Sequence, residues 1–152
     1  MEKQIDDVLK LENQLCFPLY AASREVIKKY RPLLDALDIT YTQYITMMVF
    51  WEYKKINVKD LGKKLFLDSG TLTPVLKSLE AKGLVRRYRS TDDERVLTVE
   101  ITKKGVDLKE KATHIPAALT DCIQLDAKEA VQLYQLLYKI LNKTADKTSD
   151  KN

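Results

Sequence analysis

The chain has 152 residues, with 26 Lys and Arg against 22 Asp and Glu and 45% apolar residues. That length predicts one domain, or one domain with helical extensions, and the apolar share is enough for a packed core. No apolar run approaches the roughly 20 residues that span a bilayer, and the charged start Met1-Glu-Lys-Gln-Ile-Asp-Asp has no signal-peptide apolar region, so a cytoplasmic protein without a membrane partner is expected.

Val8, Leu11, Leu15, Leu19, Ala22, Val26 and Tyr30 lie mostly on one stripe and predict a long helix from Ile5 to Tyr30. Pro18 is expected to kink it, two residues after Cys16. A short connecting helix is read over 31–38. Thr40 or Thr42 then caps a strongly apolar core helix carrying Ile45, Met48, Val49 and Trp51. Val58, Leu61, Leu65 and Leu67 give the next amphipathic helix. Asp68-Ser-Gly breaks the pattern, and Asp68 or Ser69 caps a second helix with Leu72, Val75, Leu76 and Leu79. Pro74 is placed in its first turn, and Gly83 ends it. A strand over 84–90, a charged tip over 91–94 and a returning strand over 95–102 follow.

Beyond Thr102 a further helix is interrupted by Pro116, and 119–125 reads as a bridging piece. Asp126, with Glu129 three positions later, caps the last helix. Its broad apolar face of Val131, Leu133, Tyr134, Leu136, Leu137, Ile140 and Leu141 wants a partner beyond its own domain. The polar stretch 144–152 reads as a disordered tail.

This order predicts a mainly α fold with a small β-hairpin wing, of the α+β class. A winged helix-turn-helix DNA-binding lobe covers about 39–102. Helices over about 1–35 and 106–143 form a dimerisation frame, so that one domain spans 1–143. Two winged units on a two-fold frame would read a pseudo-palindromic operator in double-stranded DNA.

Charge agrees with this placement. From Lys54 to Lys104 there are 13 Lys and Arg against 7 Asp and Glu, a net +6, while the whole chain is +4. On the second helix of the unit, Ser69, Thr71, Thr73 and Lys77 are the polar residues able to meet phosphates or base edges. The wing offers Arg86, Arg87, Arg89 and Arg95. Arg95 is the candidate for a narrow minor groove, and Asp93 is expected to pair with a wing arginine. One of Arg86 and Arg87 is expected to be merely a solvated strand residue.

His114 is the lone histidine and the four glycines are scattered. Neither a metal site, a His-based catalytic triad nor a phosphate-cradling loop is expected, and no cofactor. Read by position alone, Cys16 is either a small apolar residue on a helix stripe or a reactive thiol.

Three stretches resemble the MarR-type transcriptional regulators. Leu67-Asp-Ser-Gly-Thr-Leu-Thr-Pro-Val-Leu-Lys-Ser-Leu-Glu-Ala-Lys-Gly-Leu-Val is similar to the family's recognition helix. Asp92-Asp-Glu-Arg-Val-Leu-Thr-Val-Glu-Ile-Thr is similar to its wing. Leu11-Glu-Asn-Gln-Leu-Cys-Phe-Pro-Leu-Tyr-Ala-Ala-Ser-Arg-Glu resembles the OhrR-like, organic-hydroperoxide-sensing branch. The resemblance implies a homodimeric repressor, not an enzyme, that leaves DNA when a first-helix cysteine is oxidised by an organic hydroperoxide. It makes Cys16 the sensor and Tyr30 and Tyr41 the phenols that hold its thiolate. Cys122 lies where two-cysteine members carry a resolving thiol, and a role as a plain core residue stays equally open. Cys16 has no Lys, Arg or His within four residues, so its activation must come from tertiary contacts. Leu15, Phe17 and Leu19 would favour apolar peroxides. The competing readings are a regulator that binds a lipophilic or phenolic ligand in the dimer cleft, and a thiol peroxidase.

Overall fold

The computed structural model describes residues 7–145, with the side chains of Asp121, Cys122, Thr144 and Ala145 outside that description. A 3-10 turn at Leu11–Asn13 precedes the first long helix, α1 (Cys16–Asp35). The uninterrupted helix expected from Ile5 is therefore not formed. Gln14 is extended, with ψ 114°, and its side-chain amide donates to the carbonyls of Val8 and Lys10 at 2.6 and 3.1 Å. Pro18 explains the break. It cannot donate to Gln14, and it stands third in α1, where helical N–H groups have no intrahelical acceptor. The proline opens the helix instead of kinking it. The separate helix expected at 31–38 is the last turn of α1, which runs through Pro32. The carbonyl that Pro32 cannot bond belongs to Lys28, on an exposed stretch where water is available.

Thr40 caps α2 (Tyr41–Tyr53) in a capping box with Gln43. A short strand, β1 (Lys55–Asn57), then leads into α3 (Val58–Leu65), which the Asn57 side chain caps. Phe66 turns the chain in the left-handed region at φ 54°. Asp68 caps the next helix, α4 (Ser69–Ala81), by accepting the Thr71 N–H at 2.7 Å. Pro74 is the sixth residue of α4, one turn deeper than the first-turn position expected for it. Gly83 (φ 73°) ends α4: its N–H reaches the Glu80 carbonyl, and that of Leu84 reaches Leu79, the paired bonds of a Schellman motif.

Strands β2 (Val85–Arg89) and β3 (Leu97–Ile101) form the wing hairpin, with Arg87 opposite Val99. β1 adds to the free edge of β3, giving the sheet order β1-β3-β2. Thr102 caps α5 (Lys103–Ala112), and Pro116 sits in the opening turn of α6 (Ile115–Ile123). The expected bridging piece over 119–125 is thus helical to Ile123, and Gln124 (φ 52°) makes the turn. Asp126 and Glu129 form the anticipated capping box of α7 (Ala127–Ala145). That helix includes Thr144 and Ala145, which the sequence places in the tail. The rest of the expected tail, 146–152, lies outside the described residues.

The core is built on α2 and α4. Met47, Phe50, Leu61, Leu72, Leu76, Leu79, Val85 and Val99 are all buried there. Each large apolar side chain among them contributes about 1.5–3 kcal/mol by leaving water. Trp51 extends this core to α5, donating its indole N–H to the Gly105 carbonyl at 2.9 Å. A Cβ at Gly105 would stand 2.2 Å from the Leu84 carbonyl oxygen, so only hydrogen fits between α5 and β2. The two chain ends are different. Leu15 is 82% exposed, Tyr134 62% and Leu136 58%. Among the described residues, no helix is long and apolar enough to cross a membrane.

Candidate nucleic-acid interface and thiol site

The inward side of α4 is fixed by Leu72, Leu76 and Leu79, which turns Ser69, Thr71, Thr73 and Lys77 outward, and all four are exposed. Main-chain N–H bonds at the helix start, that of Thr71 first, hold the Asp68 carboxyl below the usual carboxylate range. The Thr73 hydroxyl donates to the Ser69 carbonyl at 2.7 Å, which leaves its oxygen able to accept from outside. This is a helix opening with small hydrogen-bonding groups and a single cation, a surface that can lie against a groove.

The four wing arginines divide into two kinds. Arg86 faces Glu100 directly across the β2–β3 ladder, and its guanidinium bonds that carboxylate at 2.7 and 3.0 Å. Arg87 bonds one oxygen of Glu80 through Nε and Nη2, at 2.9 and 2.7 Å, while its main-chain N–H takes the other at 2.9 Å. These bonds push the Glu80 carboxyl below its ordinary range. Arg86, with its side chain 68% exposed, fits the solvated strand residue expected for one of the two. Arg87 instead clamps the wing to α4. Arg89 bonds the Glu94 carbonyl at 2.8 Å across the hairpin. Arg95 is exposed at the tip, and only its main-chain N–H meets Asp93, at 3.0 Å. The expected pairing of Asp93 with an arginine side chain is therefore replaced by a backbone bond that shapes the turn.

Sequence reasoning passed over Glu80, although its spacing from Arg87 across the Gly83 turn was a usable signal. It also passed over Lys63 and Lys64, exposed in the last turn of α3. Lys64 donates to the Tyr53 hydroxyl at 2.9 Å.

Cys16 is the first residue of α1, exposed and free. Tyr30, Tyr41 and Tyr44 form one aromatic cluster, with ring centroids 4.8, 5.9 and 6.5 Å apart. Burial pushes all three phenols above their usual range, so they remain protonated hydrogen-bond donors. Tyr30 follows Cys16 by fourteen residues of the same helix, about 21 Å along its axis at ~1.5 Å per residue. One chain therefore does not bring its own thiol to its own Tyr30. Cys122 lies on the backbone of α6, with its side chain outside the described residues. A cleft of about 560 Å³ between α1, the start of α2 and the end of α4 is lined by Arg24, Arg31 and Lys82 beside Ile27 and Tyr41.

Residues 25–112 match the family model of the transcriptional regulators SarA/Rot. The organic hydroperoxide resistance transcriptional regulator of Bacillus subtilis is 48% identical over 137 residues, 90% of this chain and 92% of that protein. Reduced AbfR bound to DNA, a Staphylococcus epidermidis protein, superposes with a TM-score of 0.74 at 32% identity, over 93% of this chain and 99% of that one. Disulfide-formed AbfR gives 0.64 at 32% identity, over 95% and 99%. Overoxidised AbfR bound to DNA gives 0.73 at 33% identity, so the fold of this chain is as similar to that DNA-bound structure as to the reduced one, and less similar to the disulfide form.

Proposed function

The chain belongs to the MarR-type transcriptional regulators, alongside their SarA/Rot and organic-hydroperoxide-resistance members, and on that premise we propose that it is a homodimeric, redox-sensing repressor whose release from DNA begins at Cys16. The observation that carries the reading is the separation of about 21 Å between an exposed thiol and the tyrosine cluster of its own chain. A second copy resolves it. The exposed apolar residues beside the thiol, Leu15, Phe17 and Leu19, and those of α7 pack across a two-fold axis. Cys16 of one subunit then meets Tyr30 and Tyr41 of the other, whose protonated hydroxyls donate to the thiolate.

The thiolate attacks the terminal oxygen of an organic hydroperoxide. The S–O bond forms as the O–O bond breaks, and the alkoxide leaves as the alcohol after taking a proton. The resulting sulfenic acid condenses with a second thiol, giving a disulfide and water. Cys122 of the partner subunit, or a small external thiol, supplies it. One peroxide is consumed per sensor thiol, which separates a regulator from a thiol peroxidase.

On DNA, each subunit lays α4 in a major groove, with Ser69, Thr71, Thr73 and Lys77 on phosphates and base edges. Arg95 enters the adjacent minor groove, Arg89 supports it, and Arg86 and Arg87 act through their carboxylate partners. The working unit is one domain over 1–143, acting in the cytoplasm on a pseudo-palindromic operator.

The test is Cys16→Ser. This variant should bind a fragment of the protein's own promoter as the wild type does, and stay bound after organic hydroperoxide. Dissociation at the wild-type oxidant dose would end the redox reading and favour a ligand in the cleft. A covalent dimer on a non-reducing gel that is lost in both Cys16→Ser and Cys122→Ser would assign the second thiol to Cys122. Its absence would assign it to an external thiol.

A further inference from the structure

Gln43 is buried, 6% exposed, and both ends of its side-chain amide are engaged. Its Oε1 accepts the Thr40 main-chain N–H at 3.1 Å, closing the capping box of α2. Its Nε2 donates to Ser78 Oγ on α4 at 2.9 Å. The Thr40 N–H fixes the orientation, because an amide nitrogen cannot accept it. Gln43 lies between Tyr41 and Tyr44, both members of the tyrosine cluster. Ser78 adjoins Lys77 on the helix that faces DNA. One side chain thus joins the first turn of α2, which carries Tyr41, one of the two proposed thiolate donors, to the middle of α4. A buried amide left with one end unpaired is costly, so the link is either made in full or replaced by a different packing.

We propose that Gln43, through Ser78, is the positioning residue that carries the oxidation of Cys16, felt at the tyrosine cluster, to the recognition helix. The proposal rests on the reading of Cys16 as the sensor. While the first turn of α2 is capped, Gln43 holds α4 where it binds DNA. When the cluster rearranges around an oxidised Cys16, the capping box shifts, and the Ser78 bond moves α4 with it.

The experiment compares full-length wild type, Ser78→Ala, Ser78→Thr and Gln43→Leu. Affinity for a promoter fragment is measured before and after cumene hydroperoxide, and Cys16 oxidation is followed by mass spectrometry. Alanine is the best helix former, and melting curves check that each variant is folded. Wild type should lose at least ~10-fold in affinity on oxidation. Ser78→Ala and Gln43→Leu should oxidise at the wild-type rate, yet have that ratio reduced by ~2–30-fold. Ser78→Thr keeps the hydroxyl and should restore the response. If wild type responds and Ser78→Ala shows the same ratio, the coupling role is overturned while the sensor reading stands. If wild type itself does not respond, the sensor reading fails, and this proposal with it.

Discussion

Glu80→Ala removes the clamp between wing and recognition helix. Three hydrogen bonds from Arg87 end on the Glu80 carboxylate, and the Arg87 side chain is 22% exposed. Bonds to charged groups contribute about 1.5–3 kcal/mol when sheltered, whereas exposed ion pairs give about 0–1 kcal/mol. The Glu80 side chain is 36% exposed, which places this pair between those limits. A loss of about 1–2 kcal/mol is expected, seen as a melting temperature lower by roughly 2–8 °C. DNA binding should weaken further, because a loosened wing must be re-ordered on the duplex at about 0.5–1.5 kcal/mol per immobilised side chain. Glu80→Gln keeps one neutral acceptor and should fall between wild type and Glu80→Ala. The pH dependence carries a sign. Arg87 holds the Glu80 carboxyl below its ordinary value, so the stabilisation is complete above the unfolded carboxylate value, about 4.3, and is lost as pH falls through the lower folded value. The assay is denaturant unfolding across the acid range, paired with titration on a promoter fragment. If Glu80→Ala matches wild type in stability and DNA affinity, the clamp contributes nothing and the reasoning is refuted.

Arg95→Ala should weaken binding to a promoter fragment by ~1–3 kcal/mol if the side chain makes a specific groove contact, and unchanged affinity in a titration would remove it from the interface. Tyr30, Tyr41 and Tyr44 are held protonated by burial, so their contribution to stability is complete below the usual phenol value of about 10 and is lost as pH rises through the higher folded values. Melting curves from about pH 8 to about pH 11 should show that fall, and Tyr30→Phe should make it shallower. Gly105→Ala forces a Cβ against the Leu84 carbonyl and should cost about 1–3 kcal/mol or more, read by denaturant unfolding. Fluorescence of the lone tryptophan, Trp51, should report the disturbed bond to Gly105, and unchanged emission with unchanged stability would count against it.

The helix-turn-helix and the hairpin were legible because their signals are local. Leucine spacing, the Asp68 cap and the Gly83 turn each act within a few residues. β1 was not legible, since Lys55-Ile-Asn is a strand only through its pairing with Glu100, Val99 and Thr98. Proline misled in both directions. The apolar stripe runs unbroken past Pro18, yet the missing N–H decides where α1 begins. Pro32 and Pro74 are accommodated inside helices that tertiary packing holds. The outward face of α4 followed from Leu72, Leu76 and Leu79. The pairings of Arg86 and Arg87 needed the strand register and the Gly83 turn. Cys16, Tyr30 and Tyr41 could be singled out only by resemblance, because nothing local separates a sensor thiol from a buried apolar cysteine.

The central claim is that the thiol of one subunit meets the tyrosines of the other, and mixed dimers measure it directly. In one, a Cys16→Ser chain pairs with a chain carrying Tyr30→Phe and Tyr41→Phe. Its remaining sensor thiol shares a chain with the phenylalanines and faces the partner's intact tyrosines. In the other, wild type pairs with a chain carrying all three substitutions, so the sensor thiol faces phenylalanines across the axis. Cys16 oxidation by cumene hydroperoxide is timed by mass spectrometry in each. The account predicts the wild-type rate in the first dimer and a slowed rate in the second. Slow oxidation in the first and the wild-type rate in the second would contradict it.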